Sequence, residues 1–293
     1  VNRNDFSDAT VVVLGHGTTQ NPGSERPVFQ QAAELRRRGR FREVREAFWK
    51  QEPQVRQVLA SLTSSRVFIV PLFISDGYFA REVMPRELGF VLTSEPASRI
   101  TQHASRTTIY CEPVGTHDRM TEVVLARARQ VVEQFPFPRI PKAKDTTLFI
   151  AGHGTERNVQ SRQSIERQVE LIRARQLYVG VHAVFMEEDP RIQDCYSLAQ
   201  TRNLVVVPFF VSDGLHTMED IPVLLGEPER LVKERLAAGQ PTWRNPTEKQ
   251  GKLTWYSSAV GSEPLLADVI LERVREAADW ARVIPVAQRR GDG

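Results

Sequence analysis

The sequence predicts an α/β fold made twice: two tandem domains, each a small open parallel sheet flanked by helices. Three observations predict it. An apolar run ending in Gly-His-Gly-Thr occurs as "VVLGHGTTQN" (Val12 to Asn21) and again as "LFIAGHGTERN" (Leu148 to Asn158). Several later blocks recur in the same order at nearly the same separation. Within each copy, short apolar runs alternate with longer amphipathic stretches, the pattern of βα units around a parallel sheet.

His16 aligns with His153, an offset of 137 residues (153 − 16). At that offset "AFWKQEP" (Ala47 to Pro53) falls on "VFMEEDP" (Val184 to Pro190), and "VFIVPLFISDG" (Val67 to Gly77) on "LVVVPFFVSDG" (Leu204 to Gly214). Pro85 falls on Pro222. The block "EPVGTHDRMTEVVLAR" matches "SAVGSEPLLADVILER", with Gly115 on Gly261 at an offset of 146 (261 − 115). The second copy has therefore gained nine residues (146 − 137), expected in the polar stretch "AAGQPTWRNPTEKQGK" as a surface loop. Repeats this long are whole domains rather than solenoid units. The expected boundaries are 1–138 and 145–293, joined by a linker at 139–144. The stretch "FPFPRIPKAKD" around that linker carries three prolines and cannot continue a helix.

In chain order, "TVVVLG" and "TLFIAG" read as the first strands, continuously apolar because both faces are covered. "VFQQAAELRRRG" and "SRQSIERQVELIRARQ" read as helices. "FREVREAFW" and "YVGVHAVFM" are second strands, and a helix should begin after Pro53 and after Pro190. "RVFIVPLFIS" and "NLVVVPFFVS" are third strands. "TTIYCEPV" and "LTWYSSAV" are fourth strands, each leading into a closing helix.

Bulk properties narrow the function classes. A chain of 293 residues, 41% hydrophobic and 26% charged, has the composition of soluble globular domains. No apolar run approaches the roughly 20 residues of a membrane-spanning helix, and no N-terminal stretch is ordered like a signal peptide. Cys111 and Cys195 lack metal-type spacing and are too few for a disulfide framework, so both are expected to be buried and the compartment to be the reducing cytoplasm. The net charge of +3 comes from arginines spread over helical stretches, including "RRRGRFR" (Arg36 to Arg42), which reads as a solvated helix end. There is no recognisable nucleic-acid module and no membrane segment.

In open parallel sheets ligands bind beyond the carboxyl ends of the strands. In the second copy those ends carry His153 after strand one, Glu187 and Glu188 after strand two, and Asp213 and His216 after strand three. Two imidazoles and a carboxylate on one rim suit a divalent transition metal, held at roughly 2.0–2.2 Å. Gly152 and Gly154 are expected to admit a bulky ligand, and Asp213, like Asp76, to cap the next helix or support the site. His103, His117 and His182 have no partner set and read as surface or packing residues. In the first copy His16 remains, but Lys50 replaces Glu187 and Phe79 replaces His216. A lysine repels a metal ion and a phenylalanine cannot ligate one, so the first rim reads as a degenerate site.

A strand ending in "GHGT", "FME" ahead of a proline, and "VPFFVSDGLHTMEDIP" together resemble the class II chelatases, and within them the CbiX-type sirohydrochlorin chelatases in two-domain form. The resemblance covers nearly the whole chain. It implies chelatase-like domains and ATP-independent insertion of a divalent metal (cobalt or iron, with nickel as a further option) into sirohydrochlorin or a related tetrapyrrole. By resemblance His153 and His216 match metal-binding histidines and Glu187 the active-site glutamate, with Glu187 versus Glu188 left open. Family members with two domains often keep the N-terminal site; here the residues favour the C-terminal one. No nucleotide is expected, because no GxxxxGK[ST] pattern occurs. Arg157 and Arg162 are candidate partners for substrate carboxylates. Fused copies can imitate a symmetric dimer, which makes a functional monomer plausible. The alternative is a non-catalytic metal or tetrapyrrole carrier on the same fold.

Overall fold

The computed structural model describes residues 5–18, 23–103, 105–154 and 159–283. The first repeat runs β1 (Phe6–Gly15), α1 (Arg26–Arg38), β2 (Phe41–Phe48), α2 (Val55–Ser61), β3 (Arg66–Pro71), a π-helical turn (Phe79–Val83), α3 (Met84–Glu87), β4 (Ile100–His103), β5 (Arg106–Tyr110) and α4 (Met120–Gln134). The second runs β6 (Thr146–Gly152), α5 (Val159–Ala174), β7 (Gly180–Phe185), α6 (Cys195–Leu198), β8 (Asn203–Pro208), a π-helical turn (His216–Asp220), α7 (Ile221–Leu224), α8 (Glu229–Ala237), β9 (Thr247–Lys249), β10 (Lys252–Tyr256) and α9 (Leu266–Val283).

Each repeat contributes one five-stranded sheet, in the orders β2-β1-β3-β5-β4 and β7-β6-β8-β10-β9. Four strands of each are parallel. The fifth, β4 or β9, is an antiparallel edge pairing with β5 or β10. This edge strand is absent from the sequence reading, because "ITQH" and "TEK" are too short and too polar to show a strand period. The central strands are as dry as their composition demands: every residue of β6 is buried, as are Val11 to Leu14 of β1. The helix of α1 follows its sequence signals closely. Pro27 lies in the first turn, Val28, Gln31, Ala32 and Leu35 form its buried face, and Gly39 ends it in the left-handed conformation. The arginines around its end are paired, Arg36 with Glu46 and Arg37 with Glu34, which fits the solvated helix end expected for that run.

Two local expectations are corrected. After Pro190 there is no full helix, only a 3-10 turn at Ile192–Asp194 and the four-residue α6. The polar stretch "AAGQPTWRNPTEKQGK" is not simply a surface loop. It contains strand β9, and Trp243 is buried in the second core, its indole N–H donating to the Thr254 carbonyl at 3.3 Å. One indole among polar neighbours is enough to fasten the stretch, because an aromatic ring removes more apolar surface from water than any other side chain.

The compact units are divided differently from the repeats. One unit comprises residues 1–117 and 264–293; the other comprises 118–263. The closing helices are therefore exchanged: α9 belongs with the first sheet and α4 with the second. Two arginines at matched positions anchor the exchange. Arg127 of α4 donates to the Ala259 carbonyl at 3.0 Å and to Ser262 Oγ at 2.6 Å. Arg273 of α9 donates to the Pro113 carbonyl at 3.1 Å and to Thr116 Oγ1 at 2.6 Å. Both arginines are buried, and a buried guanidinium requires such acceptors. Glu263 at 3.4 Å and Glu276 at 2.7 Å supply the countercharges. No helix among the described residues is long and apolar enough to cross a membrane.

Candidate functional site

Parallel pairing brings the carboxyl ends of β6, β7 and β8 to one edge of the second sheet, with Gly152 opposite Phe185 and Ala151 opposite Pro208. Beyond β6 the chain is held to the end of β7 through one carbonyl. The His153 oxygen accepts the N–H groups of Met186 at 3.0 Å and Glu187 at 3.1 Å. That fixes His153 beside Glu187, whose Oε2 lies 3.8 Å from His153 Nδ1. His216 starts the π-helical turn after β8. Its ring meets that of His153 edge to face, centroids 4.9 Å apart and planes at 85°.

A further residue acts on this pair. Asp220 Oδ2 lies 2.7 Å from His216 Nδ1, one turn along the same helical segment. A carboxylate can only accept, so Nδ1 is the donor in this contact and Nε2 is the nitrogen left to ligate. At His153 the neighbours of Nδ1 are likewise acceptors, the Gly154 carbonyl at 3.4 Å and Glu187. Both imidazoles thus offer Nε2. The spacing of His216 and Asp220 in "HTMED" carried a signal for this contact, since residues four apart on a helix are neighbours.

The two adjacent carboxylates have different surroundings. Glu188 accepts from Arg162 Nη1 at 2.9 Å, and Arg162 Nε donates to Glu166 at 2.8 Å. The hydrogen bond to Glu188, with that to Glu166 behind it, raises the Arg162 pKa further, and the guanidinium lies 4.7 Å from the centroid of the Phe185 ring. Glu187 faces His153 and is 59% exposed. Arg157 lies outside the described residues. Among the described residues, no three His, Cys, Asp or Glu side chains are arranged to hold a metal ion as they stand.

Three expectations about neighbouring residues change. Gly154 serves packing rather than access. It adopts φ +64°, and a Cβ there would lie 2.6 Å from Phe185 Cβ. Asp213 does not cap a helix; its Oδ1 accepts the Ala259 N–H at 2.8 Å and fastens the loop after β8 to the chain beyond β10. Asp76 pairs instead with Arg81. His182 stacks on Phe149 at 5.4 Å, with burial and then Arg173 lowering its pKa. His117 pairs with Glu276. Cys111 and Cys195 are buried and free, as expected.

The first rim repeats the backbone and not the chemistry. The His16 carbonyl accepts the N–H groups of Trp49 at 3.2 Å and Lys50 at 3.0 Å, as His153 does for its counterparts. The His16 ring lies 4.7 Å from Phe79 and 5.4 Å from Trp49. Lys50 sits over the Trp49 ring at 4.5 Å. Neither the second imidazole nor its carboxylate partner has a counterpart here, for Phe79 stands at the position matching His216 and Val83 at that matching Asp220.

Known proteins share this architecture. A family model, CbiX, matches residues 10–131 and 147–277, one match in each repeat. A probable sirohydrochlorin cobaltochelatase of Halobacterium salinarum is 44% identical over 278 residues, covering 91% of each chain. The structure of DR2241 from Deinococcus radiodurans, described as a multi-domain protein with structural similarity to chelatases, aligns with a TM-score of 0.73 and 27% identity. That alignment covers 90% of this chain, which spans 54% of that larger one. SirB from Bacillus subtilis, solved with Fe3+, aligns over 94% of this chain and 97% of its own with a TM-score of 0.63; at 19% identity it bears on the fold alone. With both repeats matched and a relative this similar over nearly its full length, the chain belongs to the CbiX family.

Proposed function

We propose that this protein inserts a divalent metal, cobalt or iron, into sirohydrochlorin or a closely related tetrapyrrole, without nucleotide hydrolysis, and that the second rim does the chemistry. The observation that carries the reading is the trio His153, Glu187 and His216, with both imidazoles offering Nε2. The Halobacterium relative supports the reaction class and cobalt as one of the metals.

The reaction exchanges two pyrrole N–H protons for one metal ion. His153 and His216 receive the incoming metal through Nε2. Imidazole and carboxylate oxygen suit cobalt and iron alike. Holding the ion requires the donors to draw together by rotation about side-chain torsions. Glu187 accepts the departing protons, a role within the ordinary general-base repertoire. Its exposure lets it pass them to solvent, whereas Glu188 is committed to Arg162. A substrate carboxylate reaching Arg162 competes with Glu188 and Glu166, so that arginine is a weaker candidate for substrate binding than its position alone suggests.

The test mixes the full chain anaerobically with sirohydrochlorin and Co2+ or Fe2+ and follows the absorption spectrum. Insertion faster than the uncatalysed rate is expected, with loss in His216→Ala and Glu187→Gln. A rate equal to the uncatalysed one would leave the carrier reading, and full activity in His216→Ala would remove the site assignment.

A further inference from the structure

Four arginines are buried among the described residues: Arg99, Arg127, Arg235 and Arg273. Three of them are answered at close range. Arg127 and Arg273 have the carbonyl, hydroxyl and carboxylate oxygens given above. Arg235 donates to Glu227 at 2.8 Å and to the Thr242 carbonyl at 3.1 Å. Arg99 is the exception. Its Nη1 reaches the Cys111 carbonyl at 3.4 Å, and its Nη2 lies 3.9 Å from Glu112, beyond hydrogen-bond distance. Glu112 is itself shared with Arg273 Nη1 at 3.3 Å. A guanidinium has five N–H donors, and burying it without acceptors is costly.

Arg99 lines a cavity of about 570 Å3 within the unit of residues 1–117 and 264–293. Small-molecule sites occupy roughly 300–1,000 Å3. The cavity lies at the β4–β5 edge of the first sheet, since Arg99 immediately precedes β4 and Glu112 follows β5. Its lining includes Arg81, Glu82, Glu95 and Trp280 of α9, and none of His16, Lys50 and Phe79. Arg81 is committed to Asp76 and Glu112 to Arg273. Glu82 and Glu95 are exposed, and among the described residues neither carboxylate has an ion pair or hydrogen bond. The walls thus combine one poorly answered cation with two unanswered carboxylates.

We propose that this cavity binds a basic α-amino acid, with its carboxylate on Arg99 and its two cationic groups answering Glu82 and Glu95. One anion and two cations in the ligand complement the charges left over on the walls. The planar guanidinium of Arg99 takes a carboxylate through two parallel N–H donors. The Trp280 ring supplies an apolar wall that also attracts cations. The same two glutamates repel polyanions, so phosphate and polycarboxylates are not occupants.

The test titrates the full chain with L-arginine and reads both heat and tryptophan emission. Saturable binding is expected, and Trp280→Phe should remove the fluorescence change. Agmatine, which is L-arginine without its carboxylate, should bind at least tenfold more weakly. Arg99→Gln should weaken L-arginine by the same factor and leave agmatine unchanged. Glu82→Gln with Glu95→Gln, both at exposed positions, should weaken L-arginine about fivefold. Inorganic phosphate should not compete. No saturable heat at millimolar L-arginine, agmatine binding as tightly as L-arginine, or an unchanged Kd in the double glutamine variant overturns the proposal. So does a fluorescence change that survives Trp280→Phe, or displacement by phosphate. The agmatine comparison uses the unaltered chain, so it decides even if Arg99→Gln fails to fold.

Discussion

Replacing Asp220 with asparagine tests the orientation of His216 with little change in shape. The contact is Nδ1 to Oδ2 at 2.7 Å, with His216 50% and Asp220 44% exposed. A buried charge-assisted hydrogen bond contributes about 1.5–3 kcal/mol, but exposure of both partners reduces the effect on folding stability to below about 1 kcal/mol. The effect on metal binding is separate. Removing a carboxylate behind a ligating imidazole typically costs about 10–100-fold in metal affinity. The half-exposed geometry points to the lower end, about tenfold or ~1.4 kcal/mol. Asparagine keeps a neutral acceptor, so Asp220→Ala should lose more than Asp220→Asn. Co2+ affinity is measured by calorimetry, with urea unfolding as the stability control. The decisive comparison is a double-mutant cycle. In a His216→Ala background, Asp220→Asn should change Co2+ affinity by less than about twofold. An equal loss in both backgrounds would refute the reasoning, because Asp220 would then act on the metal or on the fold without His216.

Other outcomes follow from the same structure. At the first rim, Phe79→His with Lys50→Glu should gain only weak Co2+ affinity, and adding Val83→Asp should raise it about tenfold by restoring the orienting carboxylate; no difference between the double and triple variants counts against that account. Gly154→Ala meets both a positive φ and Phe185, so it should destabilise more than Gly39→Ala, which has a similar φ and nothing within 4 Å. The strain common to both is about 1–2 kcal/mol, and the contact should add about 1–3 kcal/mol, read as the difference between two urea curves. Burial holds the Cys195 thiol up to about 12 and raises Cys111 as well. A thiol reagent at pH 8 should therefore find neither cysteine in the native protein and both after denaturation. A fragment ending at residue 138 carries α4 without its sheet and lacks α9, so it should not be a folded monomer by circular dichroism and sedimentation; a compact monomer would refute the helix exchange.

The sequence alone determined the duplication, the βα order and the inequality of the two rims. These are local or periodic properties: apolar runs for dry strands, a glycine-flanked histidine at a strand end, and substitutions read at a constant offset. His153, Glu187 and His216 could be assigned to one rim because parallel strands have only one carboxyl edge. Pairing partners were not legible. Glu187 and Glu188 are adjacent and chemically identical in sequence, and only the position of Arg162 on α5 separates them. The role of Gly154 depends on Phe185 across the sheet, and that of Asp213 on Ala259 beyond another strand. The exchange of α4 and α9 was hidden for the same reason. An amphipathic helix records that one face must be buried, but not which sheet will bury it. That choice was made by tertiary contacts such as those of Arg127 and Arg273, whose acceptors lie 132 and 160 residues away along the chain.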